Sequence, residues 1–128
     1  KPIVQPWDMT ATILDLYGLP TTEQMIGTSL LPLIRGSRRT GRAVAVAGNG
    51  SRADGKGGIV QAMDGTWSYT MWRGERDPVL HHITEDPECE SNRATSEPEV
   101  CLRLRGEIES FMREQGFGEE WMAGYRTE

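Results

Sequence analysis

Long apolar runs, an excess of positive charge and more than a pair of cysteines are all missing from this sequence. No stretch approaches the roughly 20 apolar residues that a membrane-spanning helix needs, so the sequence predicts no membrane span. Acidic residues outnumber basic ones 19 to 14, a net charge of −5 that disfavours nucleic acid or an anionic membrane as the partner. Cys89 and Cys101 could form one disulfide; two free thiols are the preferred interpretation, and the pair leaves the cellular compartment open.

The sequence also lacks an initiator methionine and a signal peptide, because it begins Lys1-Pro2-Ile3-Val4. We therefore expect an excised piece or a processed product of a longer protein. Its 128 residues suit one domain, large enough for a core but not for two comfortable ones. The 15 glycines and 7 prolines cluster in the middle, which predicts long loops there.

Four short segments have the pattern of β-strands. Residues 67–72 alternate apolar and polar side chains, which is typical of a strand with one buried face. The polar segment 73–78 holds a glycine and a proline and predicts a turn that returns the chain antiparallel. Residues 43–47 are small and apolar throughout, which predicts a strand covered on both faces. The predicted strands lie near 43–47, 59–63, 67–72 and 79–83.

Two helices are predicted, one near each end of the chain. Asp8 is a suitable N-cap for a short helix over 9–17, which Gly18 would end in a left-handed conformation. Near the other end, Ser96 and Glu99 have the spacing of a capping box for a helix over 97–115, with Pro98 in its first turn. Beyond that helix, apolar residues at 121, 122 and 125 could dock a final turn on the core.

These elements predict an α+β fold, in which a four-stranded antiparallel sheet is packed by the long C-terminal helix and preceded by an N-terminal helical segment. The apolar positions of the strands and of the long helix supply the expected core. The predicted buried residues are Val44, Val46, Val60, Trp67, Tyr69, Leu80, Leu104, Ile108 and Phe111.

Short motifs near the two ends resemble the C-terminal part of arylsulfatase-like proteins of the alkaline-phosphatase superfamily. Those proteins carry D-x-x-P-T-L-L-D-L-x-G and G-x-S-L-L-P-L-L-x-G, matched here by Asp8, Thr12, Leu14, Asp15, Leu16 and Gly18, and by Gly27, Ser29, Leu30, Leu31, Pro32, Leu33 and Gly36. They also carry W-K-Y, L-Y-D-L and D-P-x-E-x-x-N-x-A, matched by Trp67, Tyr69, Leu80, Asp86, Pro87, Asn92 and Ala94. The chain departs from these patterns at Ala11, Ser68, His81, His82 and Cys89.

The resemblance implies a division of the chain and a missing partner. Residues 1–36 would belong to the edge of an absent N-terminal catalytic domain, and 37–128 would form the C-terminal subdomain. In the family, a formylglycine made from Cys or Ser in a C/S-x-P-x-R motif, with Asp and Asn/Gln ligands for calcium, supplies the chemistry. That motif is absent here: Arg105 follows Cys101 at the right distance, but Arg103 replaces the proline within a predicted helix. No cofactor is expected in this fragment; calcium and formylglycine are expected in the catalytic domain.

The candidate site residues are cations and histidines in loops and at a strand end. In the glycine-rich segment 48–58, Arg52 and Lys56 could meet an anionic substrate; Gly57 after Lys56 breaks the phosphate-loop order. A cluster of Arg35, Arg38, Arg39 and Arg42 could be a solvated connector, the preferred interpretation, or an anion-attracting rim. Adjacent histidines at 81 and 82 would point to opposite faces of a strand and so could not chelate one ion together.

Three functions fit the sequence. The first is the C-terminal portion of a sulfatase that hydrolyses sulfate esters, serving packing and substrate-mouth roles without being catalytic itself. The second is the same subdomain of a phosphodiester or phosphonate hydrolase of the superfamily, and the third is a non-catalytic interaction module. Because apolar groups of the N-terminal helix would be left uncovered, we also expect a homodimer through the N-terminal segment.

Overall fold

The computed structural model describes residues 2–38, 41–49 and 58–125. The chain divides into two compact units, Lys1–Ala45 and Val46–Glu128. Its helices and strands follow in the order α1 (Pro6–Leu16), α2 (Leu31–Ile34), β1 (Ala45–Asn49), β2 (Ile59–Met63), β3 (Trp67–Trp72), β4 (Val79–His82), α3 (Pro98–Glu114) and α4 (Glu119–Ala123). This is the predicted α+β fold.

The sheet has its four strands in sequence order, β1-β2-β3-β4. β3 is antiparallel to both neighbours, and Tyr69 lies opposite Ala62 on one side and Leu80 on the other. Since directly opposite residues share a face, these three side chains form one apolar surface. The four-stranded antiparallel sheet is confirmed, with β1 two residues later than predicted.

The long helix α3 contacts β2 and β3 and completes the core of the second unit. Leu104, Ile108 and Met112 recur every four residues and are all buried. Phe111 and Val44 are only half-buried, contrary to prediction, because the buried stripe of α3 runs through 112 and because β1 begins after Val44. Trp67 is also half-buried at the start of β3.

β3 is buried on both faces, whereas its alternation predicts one. Ser68 and Thr70 are only 4% and 6% exposed. The side-chain amide of Gln61 donates hydrogen bonds to both hydroxyls, at 2.8 and 3.2 Å. Buried hydroxyls with a hydrogen-bond partner avoid most of the desolvation cost of burial. Ser68 and Thr70 are therefore buried, although the alternating pattern predicted that they face solvent. For β1 the prediction was wrong in the opposite sense. This strand was expected to be covered on both faces, but only Val46 is buried in it.

The starts of both long helices differ from the prediction. α1 begins at Pro6 with Gln5 as the N-cap, so Asp8 is the third helical residue and not the cap. α3 is capped by Glu97, while the Ser96 hydroxyl donates to the Arg93 carbonyl oxygen within a turn, so the predicted capping box does not form. In each case a proline occupies the first helical position, where its fixed φ suits a helix start.

The first unit is built around α1 and the short helix α2. Gly18 has φ +66° after α1, as predicted, and Gly36 has φ +72° after α2. In α2, Leu31 is buried but Ile34 is exposed, so the expectation that the whole leucine-rich segment fills a core is only partly met. Within the described residues no helix is long and apolar enough to cross a bilayer.

Candidate functional site

The predicted substrate-binding residues, Arg52 and Lys56, lie in the segment 50–57, outside the described residues. The strand ends on either side of that segment are described. The side-chain oxygen of Asn49 accepts a hydrogen bond from the Ile59 N–H at 3.2 Å, which ties the end of β1 to the start of β2. The role of the two cations stays a prediction.

A cavity of about 150 Å³ lies at this end of the second unit. The residues around it come from β1, β2, the end of α3 and the C-terminal segment, and none of them is charged. They are Val46, Ala47, Gly48, Asn49, Ile59, Val60, Phe111, Met112, Phe117, Trp121 and Tyr125.

A cluster of aromatic rings forms one wall of the cavity. The ring centroid of Trp121 lies 4.5 Å from that of Phe117 and 5.0 Å from that of Tyr125, and the Arg73 guanidinium lies 5.4 Å from the Trp121 ring. The Gly74 N–H donates to the Gly124 carbonyl oxygen at 2.9 Å. The final turn is thus docked, as the apolar spacing predicted, and Tyr125 is 3% exposed.

Among the described residues of the first unit, Asp8 is the most buried charged group. One carboxylate oxygen accepts the Gln5 N–H at 2.7 Å, and the other accepts the Thr28 N–H at 2.9 Å and an ion pair from Arg42. Burial raises the pKa of Asp8, but the hydrogen bonds from Thr28 and Gln5 and the Arg42 charge together bring it below its ordinary value. The carboxylate is therefore fully engaged in holding three chain segments together.

Other residues of the N-terminal motif also hold parts of the first unit together. The Thr12 hydroxyl donates to the Asp8 carbonyl oxygen at 2.6 Å and accepts the Leu30 N–H at 2.9 Å. Asp15 accepts a hydrogen bond from the Ser29 hydroxyl. A Cβ atom on Gly27 would collide with the backbone carbonyl of Trp7, so only glycine fits there. These motif residues hold the loop before α2 against α1.

The C-terminal motif is also structural. The Asp86 carboxylate accepts the N–H groups of Glu90 and Ser91 at 3.1 and 2.8 Å, which lowers the pKa of Asp86. The side-chain oxygen of Asn92 accepts the N–H groups of Leu80 and Ala94 at 2.9 and 3.0 Å. These hydrogen bonds tie the loop after β4 to β4 itself. The motif residues Asp86 and Asn92 thus stabilise the conformation of this loop.

Among the ion pairs that the sequence analysis did not predict, two join distant parts of the chain. Asp8 with Arg42 joins residues 34 apart in the chain, and Asp64 with Arg103 joins the β2–β3 turn to α3. Burial raises the pKa of Asp64, but the N–H groups of Trp67 and Thr66 and the Arg103 guanidinium lower it overall. Such long separations leave no periodic signal in a single sequence.

The arginine cluster is not one surface. Arg42 is engaged with Asp8, Arg35 and Arg38 are exposed, and Arg39 lies outside the described residues. A small cavity of about 90 Å³ in the first unit is bordered by Arg38 and Arg42. Because Asp8 neutralises Arg42, the positive charge facing this cavity is smaller than the sequence suggests.

The histidines occupy opposite faces of β4. His81 lies opposite Ser68, and its Nδ1 is 3.2 Å from the Ser91 carbonyl oxygen. His82 lies opposite Trp67 on the same face as Leu80, and the ring centroids of His82 and Trp67 are 4.4 Å apart. Across residues 2–38, 41–49 and 58–125, no group of three or more His, Cys, Asp or Glu residues is placed to hold a metal ion.

The two cysteines are free thiols, Cys89 exposed and Cys101 half-buried. Burial, with the nearby Glu97 carboxylate, raises the pKa of the Cys101 thiol despite a backbone hydrogen bond that lowers it. A nucleophilic cysteine needs the opposite shift, because the thiolate is the reactive form. Cys101 therefore lacks the environment of a nucleophile, in line with its position in a helix.

Comparison with known proteins supplies the context for this architecture. No protein-family model and no curated protein matches the chain. A 2-O GAG sulfatase aligns over 88% of this chain and 25% of its own, with a TM-score of 0.74 and 17% identity. The sulfatase-like protein yidJ from Bacteroides fragilis aligns over 94% and 26%, with a TM-score of 0.75 and 12% identity. A protein solved with its substrate, D-glucosamine-2-N,6-O-disulfate, aligns over 88% and 24%, with a TM-score of 0.72 and 14% identity.

At these identities the likeness is one of fold. The chain spans about a quarter of the length of the structures it matches, while those structures cover most of the chain. This is the coverage expected if the chain corresponds to a single subdomain. The chain therefore has the fold of a sulfatase subdomain, and the resemblance to the C-terminal sulfatase subdomain inferred from its sequence is confirmed at that level.

Proposed function

We propose that the chain is the C-terminal portion of a sulfatase, which packs on the catalytic portion, contributes to the substrate mouth and is not itself catalytic. The observation that carries this proposal is the fold match, which covers most of this chain but about a quarter of each sulfatase-like structure. In the same proposal, residues 1–36 form the edge of the catalytic portion and 37–128 form the C-terminal subdomain.

The contacts of the motif residues support a structural role. Asp8, Asp15, Asp86 and Asn92 are among the polar residues that the motifs share with sulfatases, and each is engaged in hydrogen bonds within the chain. Catalysis of ester hydrolysis needs a nucleophile, a proton donor and charge stabilisation that converge on one point. Asp8 and Asp15 bind groups of the first unit, whereas Asp86 and Asn92 bind groups of β4 and of the loop after it. The sulfate-ester chemistry, with formylglycine and calcium, would then be supplied by the catalytic portion.

The substrate-mouth role is assigned to the segment between β1 and β2. Its ends, Asn49 and Ile59, are held together by a hydrogen bond, so the segment is presented from a fixed base. Loops on a rigid sheet are common carriers of recognition. Arg52 and Lys56 are the cations of this segment, and a sulfated substrate carries the complementary charge.

The experiment compares the isolated chain with a longer protein that carries the same 128 residues after a C/S-x-P-x-R motif. The panel contains an aryl sulfate, a sulfated glucosamine and a phosphodiester. The sulfated sugar is included because one structural neighbour was solved with such a substrate. We expect sulfate release by the longer protein and none by the isolated chain. Turnover by the purified chain alone would contradict the proposed division of labour.

The same panel tests the alternatives. A phosphodiester or phosphonate hydrolase of the superfamily would show its main activity on the phosphorus ester, and its nucleophile would be threonine in place of a formylglycine precursor. An interaction module would show no activity in any longer form. The observation that favours a sulfate ester over a phosphorus ester is that a 2-O GAG sulfatase is among the matching structures.

A further inference from the structure

We propose that the apolar cavity of the second unit is a binding site for a single uncharged aromatic ring. The cavity has a volume of about 150 Å³ and lies between β1, β2, the end of α3 and the C-terminal segment. The site goes beyond the proposed function, because it requires neither the catalytic portion nor a sulfate group on the ligand.

The volume of the cavity suits one six-membered ring. An apolar cavity of roughly 150 Å³ engineered into another protein binds benzene. A ring of that size gains dispersion contacts with the wall along its faces and its edge. A fused two-ring molecule is too large for the same space. The volume therefore sets an upper limit of one ring.

The floor of the cavity is apolar and buried. Val46, Val60 and Met112 are 5%, 7% and 4% exposed. The side-chain oxygen of Asn49 already accepts the Ile59 N–H at 3.2 Å. A sugar or a charged group placed against these three apolar side chains would give up hydrogen bonds to water, which costs free energy. The floor thus favours an apolar, uncharged ligand.

The wall favours an aromatic ligand over an aliphatic one. The Trp121 ring lies between those of Phe117 and Tyr125, with centroids 4.5 and 5.0 Å away. The Arg73 guanidinium lies 5.4 Å from the Trp121 ring, and a Cβ atom on Gly124 would come within 2.5 Å of the Arg73 Nε, so this wall is held by close contacts of its own. Aromatic rings attract one another in offset or edge-to-face arrangements beyond the effect of buried area.

The cavity has a neutral wall and an open side. Burial raises the pKa of the Tyr125 phenol, while the Arg73 charge acts in the opposite direction, so the phenol is neutral near neutral pH. Residues 47–49 of β1 are exposed, and Phe117 is 40% exposed. A ring can therefore enter between β1 and the aromatic wall while the floor stays buried.

A nuclear magnetic resonance titration of the 128-residue chain with benzene tests the site. We expect saturable shifts of the methyl signals of Val46, Val60 and Met112, with nuclear Overhauser effects from the benzene protons to the same methyl groups. The dissociation constant should be on the order of 1 mM, within the ceiling for a ligand of about six non-hydrogen atoms. Cyclohexane and benzenesulfonate should bind several-fold more weakly, and glucosamine and naphthalene should give no saturable shift.

Two variants, each with a matched control, locate the binding. Val60→Phe places a ring of the protein in the cavity and should weaken benzene binding more than tenfold. Val79→Phe is its control, because Val79 is a half-buried strand residue outside the cavity lining. Phe117→Ala removes one ring from the wall at a partly exposed position and should weaken binding several-fold. Tyr17→Ala, at a position 75% exposed in the first unit, should leave the affinity unchanged.

The absence of saturable shifts at the floor methyl groups overturns the site. Affinity for cyclohexane, benzenesulfonate or glucosamine equal to that for benzene overturns the ligand class. Benzene binding that survives Phe117→Ala undiminished overturns the role of the wall, and this variant decides even where Val60→Phe fails to fold. These readouts come from the isolated chain, so their failure is distinct from failure of the sulfatase proposal, which is read from ester hydrolysis by the longer protein.

Discussion

At the scale of the residue, the positions shared with sulfatases act through hydrogen bonds. The Asp8 carboxylate illustrates this most fully, because two backbone N–H groups and one guanidinium converge on it in a site that is 1% exposed. A buried carboxylate with these partners is stable only as long as all of them are present. The identity of such a residue is fixed by its partners.

Asp8→Asn should therefore lower the free energy of unfolding of the first unit by about 3 kcal/mol, because it leaves the Arg42 charge without its partner. Asp15→Asn is the matched control on the same helix. Asp15 is exposed and has one hydrogen bond, to Ser29, so its substitution should cost about 1 kcal/mol or less. Denaturant unfolding and hydrogen exchange at the Thr28 amide provide the measurements. Equal effects of the two changes would contradict this account.

The pKa of Asp8 gives the same site a pH dependence. Since its pKa in the folded chain is lowered, the folded state favours the ionised form. The resulting stability is fully present above the ordinary aspartate pKa and is lost as the pH falls through the lower, folded value. A stability profile from neutral pH into acid should be flatter for Asp8→Asn than for the unchanged chain. Parallel profiles would show that other carboxylates dominate.

Glycine positions provide a second test at this scale. Gly27→Ala should destabilise the chain strongly, because the added Cβ meets the Trp7 backbone, which cannot move aside easily. Gly106→Ala should instead stabilise it by about 0.5–1 kcal/mol, since Gly106 lies within α3 with open space beside it. Thermal unfolding of both variants decides the matter; a Gly27→Ala chain of unchanged stability would mean that this close approach is not maintained.

At the scale of the element, α3 and the sheet hold the second unit together. Leu104 of α3 and Leu80 of β4 are both fully buried, and α3 contacts β2 and β3. Polar contacts add to this packing at the ends, where Arg103 reaches Asp64 in the β2–β3 turn. The helix is thus positioned by an apolar stripe and oriented by an ion pair.

Leu104→Ala should cost on the order of 2–5 kcal/mol of unfolding free energy, because the vacated volume is enclosed on all sides. Leu102→Ala, two residues away on the same helix but 68% exposed, should change the stability by less than about 0.5 kcal/mol. The comparison uses equilibrium unfolding in denaturant. A small effect at Leu104 would show that the core can collapse around the gap.

Periodicity explains which elements the sequence predicted well. The alternation of β3 and the four-residue spacing of α3 placed both to within one residue at each end. The start of α1 was placed less well, since Asp8 is a good cap in general but Pro6 decides where this helix begins. The alternation of β3 predicted one exposed face, but Ser68 and Thr70 on that face are buried, because Gln61 donates hydrogen bonds to both hydroxyls.

The site was less predictable than the fold. Asp8 with Arg42 depends on a contact across 34 residues, which one sequence cannot show. The aromatic wall around Trp121 was anticipated only in part, since apolar spacing predicted the docked turn but not the stacking of Arg73 on the ring. Arg52 and Lys56 lie outside the described residues, so their assignment rests on composition and the resemblance.

At the scale of the whole molecule, the segment between β1 and β2 is the part proposed to bind the substrate. In the longer, active protein, Arg52→Ala with Lys56→Ala should raise KM more than it lowers kcat, since these cations would bind the anionic substrate without taking part in bond cleavage. Arg35→Ala with Arg113→Ala is a control with the same loss of charge at exposed positions elsewhere. Unchanged KM for every sulfated substrate would leave the segment without this role.

The difference between the two cysteines makes the chain convenient to label. Cys89 is exposed in a turn, while the Cys101 sulfur is partly buried, has a raised thiol pKa and lies 3.7 Å from the Ala94 carbonyl oxygen. A maleimide dye near neutral pH should therefore attach first at Cys89, because thiolate content and access both limit the reaction at Cys101. Mass spectrometry of tryptic fragments would reveal the site. A fluorophore placed there, on the loop whose backbone Asp86 and Asn92 bind through hydrogen bonds, would report distances to any second protein without a substitution in either unit.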